Sequence, residues 1–191
     1  MRMCETIAVI AYPPILDIFV TLIFVFFSPF GLGGMSKIAA LLVSMIFVTF
    51  IPVFPVPYYF KKGIVDINVS NRKQRTLFYV IAIVSYFAAA LIFMHFNSLV
   101  MFYLTFSYAL IALAIMMINF SWKISAHSTI AGPITAIAYI FGWQFLILHI
   151  FTLTVMLSRL KLRVHTPAQV IAGAAVSAII TFVVFYAFMP F

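Results

Sequence analysis

The chain has 191 residues; 66% are hydrophobic, 18% aromatic and only 7% charged, against about 25% charged in a soluble domain. Eleven basic and three acidic residues cannot clothe a water-soluble domain of this length, so the solvent of this protein is lipid. The single cysteine, Cys4, excludes an internal disulfide framework and a cysteine-based metal cluster. The net charge of +8 would suggest nucleic acid in a soluble chain; here it reads first as topology and as attraction to phosphate groups.

A helix needs roughly 20 apolar residues to cross the hydrocarbon core. Residues 7–28 are the first predicted span, interrupted only by Asp17. That segment is too long for a signal-peptide core and ends in Ser28-Pro29-Phe30 without a small-x-small site, so it is read as a retained helix. Residues 38–59 form the second span, ending in Pro52, Pro55 and Pro57, and a polar stretch runs from Lys61 to Arg75. Spans 76–96 and 99–119 follow, joined by a tight turn at His95–Asn97–Ser98. After a polar segment from Asn119 to Thr129, residues 130–157 are apolar but broken by Gly142-Trp143-Gln144, and are read as a hairpin of two short helices. The basic loop Ser158 to Val164 leads into the last span, 165–188. These elements predict an all-α bundle of six to seven transmembrane helices in one domain, residues 1–191.

With seven spans the loops 61–75, 119–129 and 158–164 share a side. Ten of the eleven basic residues fall there and Lys37 alone falls opposite, which predicts that these loops are cytoplasmic. They hold His127 and His165, each at the start of a helix, where free N–H groups and the dipole favour an anion. They also hold Arg72, Arg75 and Arg159 and several hydroxyls, but almost no carboxylate, so a divalent metal has no ligand set there. That inventory suits holding a phosphate and attacking it without a metal or other cofactor. The bland alternatives are histidines at helix ends in the membrane interface, and arginines that act only as topological anchors. Asp17, an acid at a span centre, is a functional candidate by position, and Asp66 is placed to hold Arg72 or Arg75.

Spacing adds a resemblance. Ser158-Arg159, five residues, His165, three residues and Gln169 is similar to the Ser-Arg-x5-His-x3-Asp motif of the type 2 phosphatidic acid phosphatase superfamily of membrane lipid phosphatases. Ile124-Ser125-Ala126-His127 resembles that family's Pro-Ser-Gly-His. Its Lys-x6-Arg-Pro has a weak counterpart, with Asn68 at the lysine position, Arg75 before Thr76, and Arg72 one turn closer as a substitute. The resemblance covers about residues 66–177. It implies a nucleophilic His165 that forms a phosphohistidine, and His127 as the acid for the leaving oxygen. It also implies a clamp on the phosphoryl oxygens from Arg72, Arg75, Arg159, Ser125 and the Ala126 N–H; position alone adds Asp66, beside the arginine loop, and Lys123, near His127, as supporting residues. Gln169 replaces the usual Asp, as in branches resembling dolichyl diphosphatases and glucose-6-phosphatases. At i+4 its amide oxygen can still accept from Nδ1–H of His165, orienting the ring without adding charge.

The expected activity is hydrolysis of a lipid phosphate, with polyisoprenyl diphosphate the first substrate choice and phosphatidate or phosphatidylglycerophosphate the second. The expected partners are that substrate and the surrounding lipids, not nucleic acid; the sequence leaves the oligomeric state open. Two other classes compete: an anion-capturing membrane subunit of a transporter, and an inactive phosphatase-like scaffold. Neither of these needs a nucleophile.

Overall fold

A computed structural model describes residues 13–66, 69 and 71–189. Among them the chain is an all-α bundle. α1 is Pro13–Phe27 and α2 is the composite helix Lys37–Lys61. α3, Arg72–His95, opens with a 3₁₀ turn at Arg72–Gln74, and α4 is Leu99–Asn119. A 3₁₀ turn at His127–Ile130 leads into α5, Ala131–Phe141; another at Trp143–Leu148 leads into α6, His149–Lys161. α7 is Pro167–Phe188.

Five helical stretches are long and apolar enough to cross a membrane: Lys37–Lys61, Arg72–His95, Leu99–Asn119, Trp143–Lys161 and Pro167–Phe188. The chain is therefore a membrane protein whose outer faces present side chains such as Ile38, Leu91, Ile179 and Tyr186 to lipid. The break in the 130–157 hairpin falls at Gly142, whose φ of 120° few L-residues adopt. A Cβ there would also collide with the Gln144 side chain. Of the first predicted span, residues 7–12 lie outside the described part.

α5 is the centre of the bundle: every residue from Ala131 to Ile140 is buried. It packs against α7 and α4, and Gly132 sets the distance. A Cβ at that position would stand 2.9 Å from both Ile111 Cδ1 and Thr181 Oγ1, so a small residue is what lets the backbones approach. With no water in the hydrocarbon, buried hydroxyls turn back to carbonyls of their own helix. Thr105 donates to Met101 O at 2.8 Å, Thr135 to Ala131 O at 2.8 Å and Ser158 to Val155 O at 2.7 Å.

α2 has a π-helical stretch, Ser44–Phe50. The Ile51 N–H bonds back to Ile46 O, five residues earlier. In that register Pro52, which has no N–H, leaves Phe47 O without its helical donor. The Ser85 hydroxyl of α3 donates to that carbonyl at 2.5 Å, so a side chain from a neighbouring helix replaces the missing backbone bond. Antiparallel neighbours then sort the loops into two sets. At one end Gly34 N–H donates to Phe96 O at 2.8 Å, and the Tyr139 hydroxyl reaches Met189 O at 3.4 Å. The segments 62–66, 120–126 and 162–166, with Val69 and Asn71, lie at the other end.

Candidate functional site

Three loops are joined at that end by backbone and arginine contacts. The N–H of Ser125 donates to the carbonyl of Gln169 at 3.2 Å. This approach needs Gly173 one turn further along α7, since a Cβ there would run into Ser125 O and stand 3.2 Å from Ser128 Cβ. Ser125 is fully buried, and its hydroxyl accepts from Ser128 Oγ at 3.0 Å. The Ala126 carbonyl accepts from the N–H and the hydroxyl of Thr129, at 3.2 and 2.7 Å. His127 begins the 3₁₀ turn on this loop, partly buried, in a segment packed against α6 and α7.

Arg75 ties the first loop to the second. Its Nε donates to Val69 O at 2.7 Å and its NH1 to Ile124 O at 3.2 Å, and the residue is buried. Arg72, three residues earlier, does different work. Its NH1 donates to the carbonyls of Asn119 at 3.2 Å and Phe120 at 2.8 Å, at the C-terminal end of α4. Asn119 Nδ2 returns a bond to Arg72 O at 2.9 Å. A cation on orphan helix carbonyls is favourable, and this reciprocal clamp anchors the turn that carries Arg75. Asn68, at the family's lysine position, lies outside the described residues.

His165 sits between the last turn of α6 and the first turn of α7 and is 8% exposed. Thr166 caps α7: its hydroxyl accepts from the Gln169 N–H at 3.4 Å, and Gln169 Oε1 accepts from the Thr166 N–H at 3.1 Å, with Pro167 at the first helical position. The same Oε1 lies 3.0 Å from His165 Nδ1. A backbone N–H can only donate, so the bond from Thr166 fixes the amide with its oxygen toward both groups. His165 must then donate from Nδ1, which leaves the lone pair on Nε2.

Arg75, Lys123 and Arg159 are close enough to His165 for their charges to act on it. Arg159, only 1% exposed, is the most buried of these cations. Burial first, and then these three cations, lower the pKa of His165 from the usual 6.5 to about 4, against the opposing bond to Gln169. The imidazole is therefore neutral at physiological pH. Lys123 holds its proton less tightly than usual, through partial burial and then repulsion from Arg75 and Arg159, which the nearby Asp66 partly offsets. Asp66 itself is exposed.

So His165, Gln169, Arg75, Arg159 and Lys123 come together, with Asp66 beside Lys123. Arg72 is seated on the end of α4, and Ser125 lies beneath the surface as part of the loop's own bonding. Sequence reasoning overlooked Thr166 and Asn119. The first had a readable signal, Thr166-Pro167-Ala168-Gln169 as a capping box; the second acts through a contact distant in the chain. His149 accepts or donates at 3.4 Å with Thr152 Oγ1, and His95 stacks edge-on against Phe96; neither belongs to the cluster. Among the described residues no three His, Cys, Asp or Glu side chains gather as a metal would need. Compared with family models, with curated proteins and with solved structures, the chain matches none.

Proposed function

We propose that the chain is a membrane phosphatase for a lipid phosphate or diphosphate, with His165 as nucleophile. The observation that carries this reading is the single carbonyl oxygen shared by Thr166 N–H and His165 Nδ1–H, which holds the ring as a neutral, Nε2-available tautomer among three cations. A site built only to bind an anion is served better by a protonated imidazole; one that attacks phosphorus needs the lone pair. The resemblance of Ser158-Arg159…His165…Gln169 and Ser125-Ala126-His127 to the type 2 phosphatidic acid phosphatases points the same way.

In this scheme Nε2 of His165 attacks phosphorus as the bond to the lipid or phosphate leaving oxygen breaks, and His127 gives that oxygen a proton. Water then adds to the phosphohistidine, His127 takes its proton, and inorganic phosphate leaves with the N–P bond broken. Arg75, Arg159 and Lys123 carry the charge that builds on the phosphoryl oxygens, and Arg72 serves them by holding the α3 turn. Polyisoprenyl diphosphate is the first substrate choice, and phosphatidate or phosphatidylglycerophosphate the second. The deciding experiment is phosphate release by purified protein in detergent from a panel of such lipids, with EDTA present. Release that is indifferent to chelation is expected. Loss under EDTA with recovery on adding magnesium rules out the histidine mechanism, and binding without any turnover favours a transporter subunit or an inactive scaffold.

The site is placed on the cytoplasmic side because ten of eleven basic residues accompany it. In a Cys4→Ser background, cysteines replacing Lys62 and Lys161 are expected to label only from the cytoplasm, and one replacing Lys37 only from outside. Labelling of the first two from outside reverses the orientation.

The low pKa of His165 gives a further test. The acid limb of kcat/KM is expected near pH 4, because the free enzyme loses its nucleophile only when His165 protonates. Lys123→Gln removes one of the charges that disfavour that proton, so the limb must move to higher pH. A wild-type limb at the ordinary histidine pKa of about 6.5, unmoved in the variant, identifies a different titrating group.

A further inference from the structure

Among the described residues Asp17 is the one buried acid, 5% exposed, and the loop cluster makes no use of it. It lies one turn from Pro13, where the described part of α1 begins, and α1 packs against the His127–Ile130 turn. Its carboxyl lines a cavity of about 130 Å³ whose walls also carry the rings of Phe78, Tyr79, Tyr86 and Tyr108. Ala126 and Thr129 line the end nearest the loops. Both are only partly buried, as is Phe78, so this end is the accessible one.

The chemistry of that lining is selective. The Tyr108 hydroxyl and the Asp17 carboxyl are hydrogen-bond partners, and a carboxylate keeps lone pairs for further company. The rings of Tyr86 and Tyr108 meet edge-on at 5.8 Å, so they form one aromatic wall beside the carboxyl. No lysine, arginine or histidine is in the lining, and a carboxylate buried among apolar groups is accompanied by a proton or by a cation. The cations that act on His165 are not among the groups that act on Asp17, so the carboxylate's countercharge has to come from outside the chain. A divalent metal takes about six oxygen ligands, and a primary ammonium brings three N–H donors. Here the Tyr108 hydroxyl is committed to Asp17 and the Tyr79 hydroxyl to Arg75. A quaternary ammonium makes neither demand: it has no N–H, it is drawn to aromatic faces, and a carboxylate balances its charge. Cavities of about 150 Å³ hold benzene, and a trimethylammonium head is of comparable bulk.

We propose that this cavity is a binding site for a quaternary ammonium group, held by the Asp17 carboxylate and by the rings of Tyr86 and Tyr108. The ligand is a small free cation or a choline-type lipid headgroup, which present the same trimethylammonium to the site. Tyr108 has two parts in it: its ring belongs to the aromatic wall, and its hydroxyl steadies the carboxylate. The site is separate from the His165 cluster and stands whether or not that cluster hydrolyses phosphate.

The test uses two ligands of one shape. Choline and its uncharged carbon isostere, 3,3-dimethylbutan-1-ol, are titrated calorimetrically into the full chain in nanodiscs of phosphatidylglycerol, with empty discs subtracted. Choline is expected to bind about tenfold more tightly than the isostere, the scale of a cation–π contact made away from water. In Asp17→Asn that ratio should fall to about one. Tyr86→Leu should weaken choline several-fold, whereas Tyr86→Phe, which keeps the ring, should not. Absence of choline binding, equal binding of the pair, or a preference that survives Asp17→Asn overturns the proposal. If Asp17→Asn does not fold, the two Tyr86 variants decide, and equal affinity in both overturns it. A second set of discs, half phosphatidylcholine, separates the sources. Weaker apparent choline binding there upholds the site with the lipid headgroup as its occupant, and unchanged binding upholds it with the free cation.

Discussion

Replacing His165 with alanine is expected to lower phosphate release by more than about 10⁴-fold, the scale on which loss of a covalent nucleophile is felt. Affinity for a non-hydrolysable lipid phosphonate should change little, because Arg75 and Arg159 are held by their own surroundings: Arg75 by Val69 O and Ile124 O, and Arg159 by near-complete burial in the last turn of α6. His127→Ala should behave differently. A positioned acid contributes about 10²–10⁴-fold, and most of that is needed when the leaving group is a poor one. The loss should therefore be severe for a lipid monophosphate, which expels an alkoxide, and milder for a diphosphate, which expels phosphate. Rapid quenching without acid, followed by mass mapping, should find the label on His165 and retain it longer when His127 is absent. Label on His127, or normal turnover in His165→Ala, reverses the two roles.

Much of the architecture could be read from hydropathy because lipid leaves a chain few options. Apolar runs near 20 residues long had to be helices, and Gly142 was visible as the one place where 130–157 could turn. What hydropathy could not reveal were the repairs. The π-helical stretch of α2 depends on Ser85, 33 residues beyond Pro52 in the chain, supplying a donor to Phe47 O. The site divides in the same way. His165 and Gln169 are four apart on one helical turn, so their contact follows from local geometry. Arg72 and Arg75 look alike in sequence, yet one is committed to carbonyls of Asn119 and Phe120 and the other to Val69 and Ile124. Contacts 47 and 49 residues away in sequence make that difference, and no local pattern encodes it. Tyr108 beside Asp17 is legible only once α1 and α4 are packed.

The electrostatics explain why a histidine with so low a pKa can still serve. Before substrate binds, three cations and burial keep His165 unprotonated. On the proposed reading a phosphate dianion compensates those charges on arrival, so the same cations that suppress protonation of His165 would also draw the substrate to an already deprotonated nucleophile. Gln169 fits this balance. A carboxylate at that position would favour the imidazolium, whereas a neutral amide orients the ring and leaves the cationic field intact.

That balance yields the second large expected effect. Gln169→Leu removes the acceptor from both His165 Nδ1–H and Thr166 N–H. Activity should fall by about 10²–10⁴-fold as the ring loses its tautomer and direction, and the lost capping bond should cost about 0.5–2 kcal/mol of stability. Those two losses can be separated, because Thr166→Ala removes the hydroxyl that caps the Gln169 N–H while leaving Oε1 in place. It should reproduce the stability loss with little of the kinetic one. Gln169→Glu keeps the length and the accepting oxygen, so it should restore turnover at high pH while moving the acid limb of kcat/KM upward. The sign follows from the added negative charge: it stabilises protonated His165, and the nucleophile is then lost at a higher pH. Equal activity in wild type and Gln169→Leu, or a limb that stays in place in Gln169→Glu, leaves Gln169 with capping alone and removes the structural reason for naming His165 the nucleophile.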